Sequence, residues 1–162
     1  MTDFLEDIKR GKIGEVIFKE DFLDFLNIHY EDVSGCQRFQ IIDTDFIAKI
    51  GSYEIKLNYK DNKQLIIETY TNINESYGKI SLGWIYKTTA DVIVFISKTS
   101  RTLIFLPFTE GFKNHFAKNI RTKYKNIYNK VSVNNNNKWQ SAFMIIPFED
   151  LKGFISVYKL IK

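Results

Sequence analysis

The residues whose types and spacing could do chemistry are an acid, Asp45, followed by Glu54 and Lys56. Glu54 and Lys56 stand two apart in Tyr53-Glu-Ile-Lys-Leu-Asn-Tyr59, a strictly alternating stretch. On a strand, residues two apart leave the same face, so carboxylate and ammonium would share one space. Carboxylates hold a hard divalent cation, Mg²⁺ or Mn²⁺, whose remaining positions stay open to water and substrate. A lysine beside them can orient an attacking water or stabilise charge gathering on phosphorus. Acid, then Glu-x-Lys, is a minimal kit for metal-assisted hydrolysis of a phosphodiester. The competing reading is a Glu–Lys pair on a wet sheet face.

A shared cation constrains how the two strands pair. With a two-residue turn at Gly51-Ser52, Lys49 would face Glu54 and Asp45 would lie four positions along. That is roughly 13 Å at ~3.3 Å per residue, too far for one ion. Sharing requires a register in which Asp45 lies opposite Glu54, with Ala48 to Gly51 as a wider loop. Both registers leave the acids on one face. Asp43 shares that face one step farther off, so Asp45 is the preferred ligand. Phe39, Ile41 and Ile47 on its own face would make an unpaired carboxylate there costly.

The elements that must position these groups follow from periodicity and turn signals. Residues 13–27 read as a helix with Ile13, Val16, Ile17, Leu23 and Leu26 on one stripe. Residues 38–50, 53–59 and 64–71 read as strands, giving a helix followed by a three-stranded meander. Asn72 to Gly83 is loop-like. Ala90 to Ser97 and Thr102 to Phe108 are apolar strands, the second ended by Pro107. Thr109 to Lys130 is a basic helical segment, and Asn134 to Asn137 a low-complexity loop. Trp139 to Ile146 and Phe154 to Leu160 close the chain as strands around a short turn or helix at Phe148 to Lys152. No repeat or linker divides the 162 residues, so one α/β (α+β) domain is expected.

Charge is divided unevenly along the chain. Residues 1–110 hold 13 Lys/Arg against 17 Asp/Glu, whereas residues 111–162 hold 10 against 2. Acids for a cation and bases for phosphates suit a nucleic-acid-processing enzyme, and a solvated basic helix is the plainer alternative. One cysteine, Cys36, excludes an intrachain disulfide, and with only His29 and His115 beside it an ordinary zinc site is excluded too. An acidic N-terminus without an apolar run, and no apolar stretch of spanning length, lead to the expectation of a soluble, cytoplasmic protein.

Taken together, Gly14-Glu15 on a first helix, Ile42-Asp-Thr-Asp-Phe46 on a strand and Tyr53-Glu-Ile-Lys56 on the next resemble the PD-(D/E)XK nuclease superfamily. That superfamily includes Holliday junction resolvases, restriction endonucleases and small phage nucleases. The resemblance spans residues 13–97 and implies a restriction-endonuclease-like αβββαβ core with a mixed central sheet, extended by a basic helix and strands over 98–162. It implies a catalytic set of Glu15, Asp45, Glu54 and Lys56, with Asp45, Glu54 and a third-strand acid, Glu68, around Mg²⁺ or Mn²⁺. Thr88-Thr-Ala-Asp91 is similar to a polar stretch that precedes the next strand in phage-type members. The residue before the acid is Thr44 rather than proline, and the spacing to Glu54 is short. DNA is the implied partner, and a homodimer the family-level expectation.

Several of these positions have plainer uses. Glu15 could pair with Lys19 at i+4. Glu68 reaches the Lys56 face only if the turn after Tyr59 shifts the register by one. Lys87 is a candidate phosphate contact and Asp91 a candidate cap. Lys118, Arg121 and Lys125 would share one DNA-facing side of the basic helix, with Phe112, Phe116, Ile120, Tyr124 and Ile127 on the buried side. Trp84 and Trp139 are read as packing residues. A non-catalytic nucleic-acid- or protein-binding module on the same fold is the alternative to the enzyme.

Overall fold

The structure, a computed structural model, describes residues 4–58, 63–74, 79–97, 99–133 and 137–159. Helix α1 (Phe4–Phe18) runs on into a wider π-type turn, Lys19–Asp24. Hydrogen bonds from i to i+5 in such a turn bring residues five apart onto one face. Phe18 and Leu23 are accordingly both fully buried, whereas Val16 and Leu26 stand half-exposed. The buried stripe of this helix therefore differs from the one that a regular 3.6-residue period predicts.

Strands β1 (Tyr30–Asp32), β2 (Phe46–Ala48) and β3 (Gly51–Asn58) form an antiparallel meander. The meander begins one strand earlier than the sequence suggests. Residues 38–50 are not one strand: α2 (Gln37–Gln40) and a turn occupy their first half, so Phe39 and Ile41 do not share a strand face with Asp45. Nor does the third expected strand join β3. β4 (Gln64–Asn74) crosses to a second sheet, and the segment expected as a loop after it continues β4 and forms β5 (Lys79–Leu82).

After the single helical turn α3 (Trp84–Lys87), β6 (Val92–Ser97) enters beside β3 in parallel, and β7 (Thr102–Pro107) returns antiparallel to it. The basic segment is helical through α4 (Glu110–His115), a second π-type turn and α5 (Arg121–Lys123). Tyr124 then turns extended, and Ile127–Val133 is strand β8. Helix does not reach Lys130, and Lys125 lies beyond its end. β9 (Asn137–Pro147), a 3₁₀ turn (Phe148–Leu151) and β10 (Ser156–Lys159) complete the chain. Of the Asn run, residues 134–136 lie outside the described residues.

Two sheets result: a mixed one ordered β1-β2-β3-β6-β7-β10, and an antiparallel one ordered β5-β4-β9-β8. The architecture is α+β. Alternation along β6 and β7 builds two cores. Val94, Ile96 and Leu103 face α1, with Phe18, Leu23, Tyr53 and Ile55. Ile93, Phe95, Ile104 and Leu106 face the second sheet and α4, with Leu65, Ile67, Phe112, Met144 and Ile146. Residues past 98 supply nine of the fifteen buried side chains of that second core, so they are built into it. Glu54 and Lys56 leave β3 on its side, opposite to Tyr53 and Ile55, so the strand's alternation aims them into the space between the sheets.

Candidate active site

The β2–β3 hairpin fixes the two central acids. Ala48 pairs with Gly51, Ile47 with Ser52 and Phe46 with Tyr53, around a tight turn at Lys49-Ile50. Gly51 has φ +144°, a conformation that favours glycine. The same register continued by one residue sets Asp45 across from Glu54. This is the pairing that a shared cation requires, reached with a tighter turn than the expected loop. Asp45 is held by its backbone on both sides: its N–H donates to the Tyr53 carbonyl at 2.8 Å, and its carbonyl accepts from Val33 N–H at 2.9 Å. Its Oδ2 accepts from Ile55 N–H at 2.7 Å.

Segment 88–91 locks this hairpin to the rest of the sheet. The Asp91 carboxylate accepts from both Ser52 N–H and Ser52 Oγ at 2.8 Å, which holds its pKa below the usual range and pins the start of β6 beside that of β3. Thr88 Oγ1 donates to the Asp43 carbonyl at 2.8 Å, and Thr89 N–H to Ile42 at 3.1 Å. Asp91 is therefore a clamp between strands.

Glu54 is buried, and its Oε1 pairs with Lys56 Nζ. Its other oxygen, Oε2, is buried without a donor. Asp45 lies within hydrogen-bonding reach. Two buried acids side by side must share a proton or a cation. Burial, and then the Glu54 charge, push the Asp45 pKa up to about 8, and burial also raises that of Glu54. For Lys56, burial alone would lower the pKa, but Glu54, with Asp43 and Asp45 behind it, more than offsets this and the net shift is upward.

Around this trio the structure places the other predicted residues unequally. Asp43 adopts φ +47° and its Oδ2 lies 3.4 Å from Lys87 Nζ, so Lys87 is engaged by an acid. Glu68 sits at a bulge in β4; it arrives from the opposing sheet rather than through a shifted turn, and it feels Lys56 and Lys87. Trp84 N–H donates to its carboxylate, and burial raises its pKa. Glu15 belongs to α1, which lies against the other face of β3: a Cβ on Gly14 would sit 3.3 Å from Ile55. Burial raises the Glu15 pKa, the neighbouring Ser34 opposes that rise, and Asp45 and Lys56 feel Glu15 only weakly.

Sequence reasoning missed the role of Trp84. Its buried ring lies 5.9 Å beneath Lys56 Nζ and edge-on to Phe95. Gly83 makes this possible, because a Cβ there would collide with the Glu68 carbonyl. We expect Gly83→Ala to cost roughly 1–3 kcal/mol through overpacking, read as a lower urea midpoint at unchanged slope. An unaltered midpoint would mean that α3 is not held this closely.

Among the described residues, no three Asp, Glu, His or Cys side chains converge as a ready ligand set. Mg²⁺ is commonly held by one or two carboxylates, with waters completing its shell, and Asp45 with Glu54 fits that demand. Lys118 and Arg121 stand exposed without a carboxylate partner among the described residues, whereas Lys113 pairs with Glu110 and Lys123 with Asp150. Lys125 is exposed past the helix end, so it does not extend their common face.

No protein-family model matches the chain, and neither does any curated protein or solved structure. No helix among the described residues is long and apolar enough to cross a membrane.

Proposed function

We propose that this protein is a divalent-metal-dependent DNA endonuclease of the PD-(D/E)XK type. One observation carries the reading: Asp45 lies across from Glu54, whose buried Oε2 lacks a donor, with Lys56 beside them on the same strand. The element order supports it. Helix α1, the meander β1-β2-β3, helix α3 and the parallel strand β6 are similar to a restriction-endonuclease-like αβββαβ core, into which β4 and β5 are inserted.

In this reading Asp45 and Glu54 would hold Mg²⁺ or Mn²⁺, which would supply an activated water and neutralise charge on the phosphate. Deprotonated Asp45 is required for that, so cation binding releases a proton. Glu54 would offer the cation its free Oε2. Lys56, supported by the Trp84 ring, would stabilise the charge that develops on phosphorus. Glu68, which feels both Lys56 and Lys87, would help to keep their ammonium groups at the site. Glu15 would approach only through a shift of α1 or of the segment around Ser34.

Incubation with supercoiled, linear and four-way-junction DNA, with Mg²⁺, Mn²⁺ or EDTA, tests the proposal. Cleavage with either cation and none in EDTA is expected; DNA that survives every condition would leave the non-catalytic binding module. That alternative draws on one observation, the closure of Lys56 on Glu54.

DNA binding itself is expected to run through the exposed cations of α4–α5. Neutralising Lys118 and Arg121, both exposed along this segment, should weaken binding to all sequences alike. It should also flatten the log–log salt dependence by roughly 0.9 per lost phosphate contact. An unchanged slope would place the DNA elsewhere. A homodimer, which could cut both strands, is checked by light scattering of the free protein and of its DNA complex.

A further inference from the structure

Helix α3 has a second use. While Trp84 and Lys87 reach toward Lys56 and Asp43, Tyr86 and Thr88 line a cavity of about 330 Å³ between α3 and α4. Its walls are the rings of Tyr86, Phe108, Phe112 and Phe116, with centroids 5.8–6.3 Å apart along the chain of contacts. Phe108, Phe112 and Phe116 are buried and fixed by the core, whereas Tyr86 is 37% exposed and forms the outer wall. None of the lining side chains is acidic, and Lys113 lies at the edge with Nζ 5.1 Å from the Phe108 ring. Its partner Glu110 is largely exposed and can swing away. Arg121 approaches the Tyr86 hydroxyl closely enough to oppose the rise in its pKa that burial causes.

Aromatic walls under a cationic rim fit a planar ring joined to an anion. A nucleotide has that chemistry: its base stacks on aromatic faces while its phosphate meets Lys113 and Arg121. A base still paired in a duplex cannot enter a recess of this kind; it must first leave the stack. Helix α3 lies between this recess and the groups around Lys56 and Asp43. We propose that the cavity takes one unstacked base of a DNA strand held by the cations at its rim, so that the protein selects single-stranded, bulged or branched DNA over unbroken duplex. This rests on the nuclease reading only for the cleavage that follows, not for the binding.

The test uses the full chain in EDTA and oligonucleotides carrying the fluorescent base 2-aminopurine, placed in a single strand, in a bulge or in a full duplex. Expected is a change in emission with single-stranded and bulged DNA but not with duplex, and roughly tenfold tighter binding of the unpaired forms at equal salt. Tyr86→Ala should abolish the emission change and weaken single-strand binding by roughly tenfold, whereas Tyr86→Phe keeps both. Arg121→Ala should weaken binding and leave the emission change of the bound form. Equal affinity for duplex and single strand, an emission change that survives in Tyr86→Ala, or displacement of the DNA signal by a fatty acid but not by a nucleotide would overturn the proposal. Parallel cleavage with Mg²⁺ separates the two readings. Base capture without any cleavage removes the nuclease and keeps the pocket; cleavage indifferent to strand pairing and to Tyr86→Ala removes the pocket and keeps the nuclease.

Discussion

Replacing Asp45 by asparagine should abolish metal-dependent cleavage and, in the absence of metal, make the protein more stable near pH 8. The loss of cleavage follows from losing a charged ligand, and the gain in stability from the raised pKa of Asp45. Asp45 titrates near 8 in the fold against 3.8 in an open chain, because of burial and then the charge of Glu54. A carboxyl whose folded pKa is raised keeps its proton where the unfolded chain has lost it. Its contribution therefore falls as pH climbs from about 4, and the full penalty is present above about 8. At ~1.4 kcal/mol per pH unit the penalty is on the order of a few kcal/mol once shared with Glu54. Asparagine escapes it, so the variant's stability should stay flatter over that window while that of the parent declines. Added Mg²⁺ should reverse the ranking, stabilising the parent by mass action and increasingly so at higher pH. Urea midpoints from pH 5 to 8, with and without Mg²⁺, measure all of this. Parallel profiles for the two proteins, or a variant that still cuts, would remove Asp45 from the site.

How much of this site was legible in the sequence depends on what held each residue. Glu54 and Lys56 were readable because β3 is long and alternates cleanly, so their common face needed no knowledge of the neighbours. The position of Asp45 opposite Glu54 was readable only as a condition, since two turn placements fit the same residues and only the paired backbone chooses between them. Residues 37–40 were misread because the Ile41-Ile42 run suggested a longer strand. What holds that stretch is remote: Thr88 and Thr89 bind the backbone of residues 42 and 43, and no local pattern announces it. Glu68 shows the same limit. Its place depends on β4 leaving for another sheet and on a bulge, both set by pairing with β9. Local periodicity also fails at the π-type turns, where a five-residue step lines Leu23 up with Phe18, which the stripe left out, and leaves Leu26 off the buried face. The helix end at Tyr124 was missed for a related reason: the apolar spacing continues through Ile127, but there it belongs to β8, whose Ile127 pairs with Phe143.

Lys56→Ala should lower the rate of cleavage by ~10²-fold or more while leaving cation binding as tight as in the parent, or tighter. The separation arises because Lys56, paired with Oε1 of Glu54, sets a positive charge beside the carboxylate whose free Oε2 would meet the cation. Without the ammonium, a positive competitor leaves the acids and a buried carboxylate loses its only ionic partner among the described residues. The Glu54 pKa, already raised by burial, then rises further, so in the metal-free variant Glu54 holds its proton over a wider pH range and gives it up when the cation binds. Calorimetry should show Mg²⁺ binding with more protons released than in the parent. Lys56→Met keeps an apolar stem against Trp84 and separates lost packing from lost charge: it should fold as the parent does and cut as poorly as alanine. A lysine that serves only to neutralise Glu54 predicts a different pair of results, namely little loss of cleavage once Mg²⁺ saturates, and rescue by raising its concentration. Cleavage that stays low at saturating Mg²⁺ assigns Lys56 to the transition state, since a group acting there lowers kcat and cannot be replaced by more metal.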